Sequence, residues 1–131
     1  MDKIRTFEDL VIWQEAHVLT LLIYEVTKNF PSSEKFNLTS QLRRAAVSVE
    51  SCIAEGFSRF HYKERVNFYY DSRGSLGEIH SQLLDARDLR FITTEIFHKV
   101  YLQIDKTGVI LGGLIRQTER LSSLKKIFRV S

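Results

Sequence analysis

Four carboxylates recur at intervals of seven residues, a spacing that places side chains on one face of a helix. They are Glu64, Asp71, Glu78 and Asp85. Seven helical residues rise about 10.5 Å, which is too far for two carboxylates to share a proton or a metal ion. Paired acid–base catalysis is therefore disfavoured, and the row predicts either a solvated face or contact with basic groups. Negative charge also argues against phosphate binding at this face.

Motifs for metal binding or nucleophilic catalysis are sparse. Di-iron sites in helical bundles use Glu-x-x-His pairs on two helices, whereas this chain has one match, Glu95 to His98. The single cysteine, Cys52, falls on a predicted apolar stripe, where cysteine acts as a small hydrophobic residue. We therefore predict no metal, no cofactor and no enzymatic activity. An enzyme with an unrecognised carboxylate or histidine site is the alternative.

A polar row is predicted on the helix that precedes the carboxylates. Gln41, Arg44, Ser48 and Glu55 fall within about 60° of one another at about 100° per residue. Arg44 and Glu55 are three turns apart and cannot pair, so each must meet solvent or another helix. Together with Glu78, these four residues are our candidates for a polar network or a subunit interface. An ordinary wet face is the alternative.

The basic excess belongs to the C-terminal end. Residues 1–115 carry 14 Lys/Arg and 15 Asp/Glu, a net charge of −1, whereas residues 116–131 carry five against one, a net charge of +4. Clustered basic charge favours binding to phosphates. We expect weak nucleic-acid binding without sequence specificity, and a solvated chain end is the alternative. The candidate residues are Arg116, Arg120, Lys125, Lys126 and Arg129.

Aromatic residues cluster between the second and third predicted helices, beside Arg59, Lys63 and Arg65. The cluster consists of Phe57, Phe60, His61 and Tyr62. Such rings can stack on nucleic-acid bases, or they can close the end of a bundle or anchor a subunit contact. The sequence leaves both interpretations open.

Four predicted helices must position all of these residues. Apolar residues recur in steps of three and four, which keeps them on one helical face, and no segment alternates with the period of a strand. The stripes run through Ile12–Phe30, Leu38–Gly56, Phe68–Ala86 and Phe97–Ile115, the last by way of Tyr101 and Ile104. Short connections make consecutive helices antiparallel neighbours. The predicted fold is an all-α, up-down-up-down antiparallel four-helix bundle.

The composition is that of one globular domain spanning residues 1–131. Hydrophobic residues make up 44% and charged residues 27%, which is ordinary for a soluble protein. One cysteine fits a reducing compartment, and there is no recognisable signal peptide. The longest apolar run, Val18–Tyr24, is much shorter than the roughly 20 residues of a membrane span. We therefore expect a cytoplasmic protein without a membrane partner.

Three segments resemble a known family. They are FEDLVIWQEAH (7–17), FPSSEKFNLTSQLRRAAVSVESCIAEG (30–56) and GSLGEIHSQLLDA (74–86). Over about residues 7–115 the chain resembles the four-helix-bundle family whose members include proteins encoded in 23S rRNA intervening sequences. The family usually has Asn where this chain has Cys52, and often Pro where it has Glu50.

The resemblance implies a bundle that often assembles as a homopentamer and has no established enzymatic activity. A distant relative, the accessory protein of diversity-generating retroelements, binds nucleic acid and a reverse transcriptase. The first helix also carries extra apolar residues beside its stripe, Val11, Val18 and Leu22, which favours an interaction surface. We therefore expect a non-enzymatic homo-oligomeric module, most simply a pentamer, that binds RNA or DNA. A protein-binding scaffold without nucleic acid is the alternative.

Overall fold

The chain folds into four α-helices without strands in its described part. The computed structural model describes the backbone of residues 3–128 and the side chains of residues 3–124. The helices are α1 (Val11–Thr27), α2 (Leu38–Ser58), α3 (Tyr62–Asp88) and α4 (Thr94–Phe128). Short 3-10 turns precede α1 and α2. The predicted all-α class is confirmed.

The helices pack as a square bundle. Each helix contacts the helices before and after it in the chain, and α1 also contacts α4. Over the described residues, α1 does not reach α3 and α2 does not reach α4, so these pairs lie on the diagonals. Consecutive helices run antiparallel because their connections are only a few residues long. This is the up-down-up-down arrangement that the loop lengths predict.

The core is built from the predicted stripes. Leu19, Leu42, Ile79 and Leu111, one from each helix, are fully buried. Burying such side chains contributes about 1.5–3 kcal/mol each. The four stripes therefore hold the four helices together around one core.

Two of the predicted core positions are displaced. Tyr69 is 1% exposed and takes the place expected for Phe68, and Val100 is buried where Tyr101 was expected. Tyr101 is 37% exposed and lies beside His80 at the edge between α3 and α4. A buried helical face is about 100° wide, so adjacent residues can compete for one place in it.

The N-terminal ends of α4 and α2 are capped in different ways. Thr93 Oγ1 accepts the Ile96 N–H at 3.1 Å and so caps α4. Asn37 stands at the N-cap of α2, but its side chain makes no capping bond. Glu34 Oε1 accepts the Leu38 N–H there instead, at 3.3 Å.

Gly56 allows α2 and α3 to approach closely near their shared turn. A Cβ atom at this position would lie 2.7 Å from Cε1 of Tyr69 and 3.0 Å from Cβ of Phe68. Because the Tyr69 ring is buried, it has little room to move away. Glycine is therefore required by packing at this position.

We predict that Gly56→Ala destabilises the protein by about 1–3 kcal/mol, the usual cost of overpacking a core. Alanine by itself favours a helix by about 0.5–1 kcal/mol over glycine. The predicted loss of stability must therefore come from the clash with Tyr69 and Phe68. Urea unfolding followed by circular dichroism measures the change. Gly112→Ala is the matched control, because its added Cβ would meet only the flexible end of Arg116. Equal stability of the two variants would contradict the packing argument.

Candidate functional site

The polar row of α2 and the carboxylate row of α3 meet in a groove of about 330 Å³. The groove contains four of the five residues predicted for a polar network: Gln41, Arg44, Ser48 and Glu78. Ser75 and Gln82 of α3 also line it. Polar residues of α2 and α3 therefore line one groove together.

Hydrogen bonds between side chains tie α2 to α3 along the groove. Ser75 Oγ donates to Ser48 Oγ at 2.9 Å, and Gln82 Nε2 donates to Gln41 Oε1 at 3.3 Å. Beneath them, the buried Ser72 hydroxyl donates to the Val49 carbonyl oxygen at 2.8 Å. These bonds fix the distance between the helices and hold the groove open.

Several polar groups of the groove have no partner in the described part of the chain. Gln82 Oε1 is buried and accepts no hydrogen bond there. Such a buried, unpaired acceptor costs about 1–3 kcal/mol. The side chains of Arg44 and Glu78 form no ion pair within residues 3–124. The groove therefore presents two charges without an ion-pair partner, those of Arg44 and Glu78, above a buried acceptor that is unpaired.

Glu55, the fifth predicted network residue, lies outside the groove. It is exposed further along α2, and its charge acts on Cys52 together with that of Asp71. Burial raises the pKa of the Cys52 thiol, the two carboxylates raise it further, and the Ser48 hydroxyl opposes the shift. A thiol with a raised pKa is protonated at neutral pH and is a poor nucleophile.

The basic end continues as helix. Because α4 extends to Phe128, Arg116, Arg120, Lys125 and Lys126 are all helical, and both arginines are exposed. The side chains of the two lysines lie outside the described residues, as does the whole of Arg129.

This end of α4 lies alongside the first half of α3. Tyr70 Oη donates to Glu119 Oε2 at 2.5 Å, and this hydrogen bond raises the pKa of the Tyr70 hydroxyl. Since α3 begins at Tyr62, two turns before Tyr70, the C-terminal part of α4 reaches the level of the turn between α2 and α3.

The aromatic cluster lies at that same turn. The Arg59 guanidinium lies 4.8 Å from the ring centre of Phe68, and that of Arg65 lies 5.3 Å from Phe57 and 5.5 Å from Tyr62. The arginines of the turn and the basic part of α4 therefore share one end of the bundle. The sequence indicated each feature separately, but their convergence depends on which helix ends meet.

Sequence reasoning also missed the polar contacts between α1 and α2, of which the contact of His17 with Glu50 is one. His17 Nδ1 lies 2.9 Å from Glu50 Oε2, and Trp13 stacks on the His17 ring at 4.8 Å. The partners are 33 residues apart, so no local pattern could pair them. Ser75 and Gln82 could have been found, because they lie three and four residues from Glu78 on one helical face.

The described residues contain no group of three or more His, Cys, Asp or Glu side chains that could hold a metal ion. Glu95 and His98, the one matching motif, are both exposed at the start of α4. None of the described helices has the length and apolar character to cross a bilayer.

Comparison with known proteins agrees with the fold. No curated protein matches the chain. A crystal structure of a protein of unknown function from the S23 ribosomal protein family of Bacteroides thetaiotaomicron superposes with a TM-score of 0.72 at 17% sequence identity. The match covers 80% of this chain and 98% of that one. The family model described as "23S rRNA-intervening sequence protein" matches residues 8–113. The chain belongs to the 23S rRNA-intervening sequence protein family.

Proposed function

We propose that this protein is a non-enzymatic, homo-oligomeric helical module whose basic end binds nucleic acid weakly and without sequence specificity. The observation that carries the proposal is the convergence of the arginine-rich turn between α2 and α3 with the basic part of α4. The family description connects related proteins with intervening sequences of 23S rRNA. RNA is therefore the first ligand to test.

The chemistry of this end suits single-stranded nucleic acid. Arg59 and Arg65 lie over aromatic rings and retain a positive charge beside a stacking surface. Aromatic rings accept any base, and cations accept any phosphate. Arg116 and Arg120 add exposed charge on the neighbouring helix. These cations do not form one row along a single helix that could enter a groove and read base edges. We therefore infer binding without sequence discrimination.

Assembly is supported by apolar surface that the bundle itself does not cover. Val11 and Val18 of α1 are 58% and 46% exposed, and Leu102 and Val109 of α4 are 68% and 66% exposed. Exposed apolar residues concentrated on neighbouring helices are typical of interaction surfaces. In a ring, each subunit would repeat the basic end, which strengthens binding through several weak contacts.

The absence of enzymatic activity is proposed on two observations. The α3 carboxylates are exposed and a full two turns apart, so they do not converge on one reacting atom. The Cys52 pKa is raised, which is opposite to the shift that a thiolate nucleophile needs.

A protein-binding scaffold is the second candidate. The observation that favours it is the polar groove between α2 and α3, where Gln82 Oε1 is buried without a partner. Such a groove suits contact with side chains of another polypeptide.

We expect light scattering at micromolar concentration to give the mass of a closed oligomer, with a pentamer as the first expectation. The uncovered apolar surface on α1 and α4 is the physical reason. A mass of 15.3 kDa, that of one chain, would contradict the assembly part of the proposal.

We expect single-stranded RNA and DNA to bind in low salt, measured by fluorescence anisotropy, with an affinity that falls steeply as salt rises. Lys125→Ala/Lys126→Ala should reduce the slope of log K against log salt by about 0.7 for each phosphate that is no longer neutralised. Lys28→Ala/Lys35→Ala removes the same charge at the opposite end of the bundle and should leave the slope unchanged. If correctly assembled protein binds neither polymer in low salt, the nucleic-acid proposal is wrong. The protein-binding scaffold then becomes the preferred function.

A further inference from the structure

We propose that copies of this chain assemble head to tail, with the carboxylate row on α3 of one copy against a basic row on α4 of the next. The inference rests on the proposed homo-oligomer and names its interface. The carboxylate row consists of Glu64, Asp71, Glu78 and Asp85. The basic row consists of Lys99, Lys106, Arg116 and Arg120.

The two rows have the same repeat. On α4, positions 99, 106, 113 and 120 are seven residues apart, as the carboxylates are on α3. Position 113 is a glycine, and the guanidinium of Arg116 lies beside both Gly112 and Gly113. Its Nη1 is 3.3 Å from where a Cβ of Gly112 would be, and its Nη2 is 3.9 Å from where a Cβ of Gly113 would be. A cation therefore stands at or beside every position of the row. Both rows step by about 10.5 Å, so several charges can pair at once.

The rows also lie at matching heights along the bundle. Within one chain Tyr70 contacts Glu119, and Leu76 lies against Gly108. These contacts put Glu78 at the level of Lys106. Because both rows repeat every seven residues, Asp85 lies at the height of Lys99 and Glu64 at the height of Arg120. These heights agree to within about one helical turn. Subunits related by rotation about an axis parallel to the helices keep their heights, so α3 of one copy meets the neighbour's α4 in this register.

Small residues beside the carboxylates leave room for a neighbouring helix. A Cβ added at Gly74 or Gly77 would meet nothing within 4 Å, although glycine inside a helix is destabilising. Beside the basic row, Leu102 and Val109 are seven residues apart and two-thirds exposed. In the same register, Val109 lies at the level of Gly74, and Leu102 at the level of Ser81. Large apolar side chains thus face small ones.

The unpaired charges fit this arrangement. Within residues 3–124 no member of the carboxylate row forms an ion pair, and Lys99, Arg116 and Arg120 form none either. Lys106 contacts Glu15 at 3.2 Å but is still 58% exposed. The contact must also accommodate one charge of the opposite sign beside each row. Arg44 lies beside Glu78, and Glu95 lies four residues from Lys99.

The two rows lie on different sides of the bundle. Glu78 lines the groove beside α2, whereas Lys106 contacts Glu15 of α1. A contact between them joins two unlike surfaces and is therefore head to tail.

Charge reversal tests the interface. Glu78→Lys/Asp85→Lys should make both surfaces basic, and Lys99→Glu/Lys106→Glu should make both acidic. In light scattering at moderate salt, each variant should fall to the mass of one chain. The variant that combines all four substitutions should recover the oligomer, because opposite charges face one another again. Recovery also excludes misfolding as the cause of the dissociation.

The control reverses two carboxylates outside both rows, Glu8→Lys/Glu25→Lys, and should keep the oligomer. If the unchanged protein is an oligomer and the row variants keep its mass, this interface is wrong while the proposed function stands. If the unchanged protein is a monomer, the assembly proposal itself fails. If the combined variant stays monomeric while its circular dichroism is native, pairing between the rows is excluded.

A second variant separates assembly from stability. Gly74→Leu/Ser81→Leu should raise the thermal midpoint of the isolated chain, measured in the background of Lys99→Glu/Lys106→Glu, because leucine favours helix and meets open space. In the otherwise unchanged protein, the same pair should abolish the oligomer by blocking close approach. An intact oligomer with both leucines present would contradict the proposal.

Discussion

The alignment of α3 between α2 and α4 is the constraint on which the other features depend. Gly56 lets Tyr69 pack against α2, and Leu76 packs against Gly108 of α4. These close contacts admit no large side chain, so they set both the distance and the height at which the helices meet. Hydrogen bonds from Ser72 and Ser75 to α2 then hold the same register.

This alignment separates charges of opposite sign. The polar groove and the carboxylates lie along the sides of α2 and α3, whereas the arginines of the α2–α3 turn and the end of α4 meet at one end. Of the carboxylate row only Glu64 lies near that end, so the other three carboxylates are away from an approaching polyanion. Arg116 and Arg120 take part in both proposed contacts, so assembly and nucleic-acid binding share these two arginines.

The sequence was sufficient for the fold and for part of the site. Steps of three and four residues define the stripes, and short loops define the topology, because both depend on local geometry alone. Gln41, Arg44 and Ser48 could be grouped by their helical angles on α2, and Glu78 by its place in the carboxylate row of α3. Glu55 could not be excluded from the groove in this way, because its angle is similar and only its height along α2 differs.

Features that depend on how two helices are aligned could not be predicted. The meeting of the aromatic turn with α4 requires knowing which ends adjoin, and the contact of His17 with Glu50 joins residues on different helices. The burial of Val100 in place of Tyr101 could not be predicted either, because adjacent residues lie near the edge of the same buried face. The basic row escaped notice because Gly113 interrupts it, and only the folded Arg116 side chain fills the gap.

Zero-length cross-linking of the unchanged protein identifies the carboxylates and lysines that touch between copies of the chain. A carbodiimide joins a carboxylate to a lysine amine only where the two touch, and mixing ¹⁴N- and ¹⁵N-labelled protein identifies bonds between chains. We expect mixed-isotope peptides that join Glu78 to Lys106 and Asp85 to Lys99, because within one chain these side chains point away from one another. Cross-links between chains that involve other surfaces and omit both pairs would contradict this expectation.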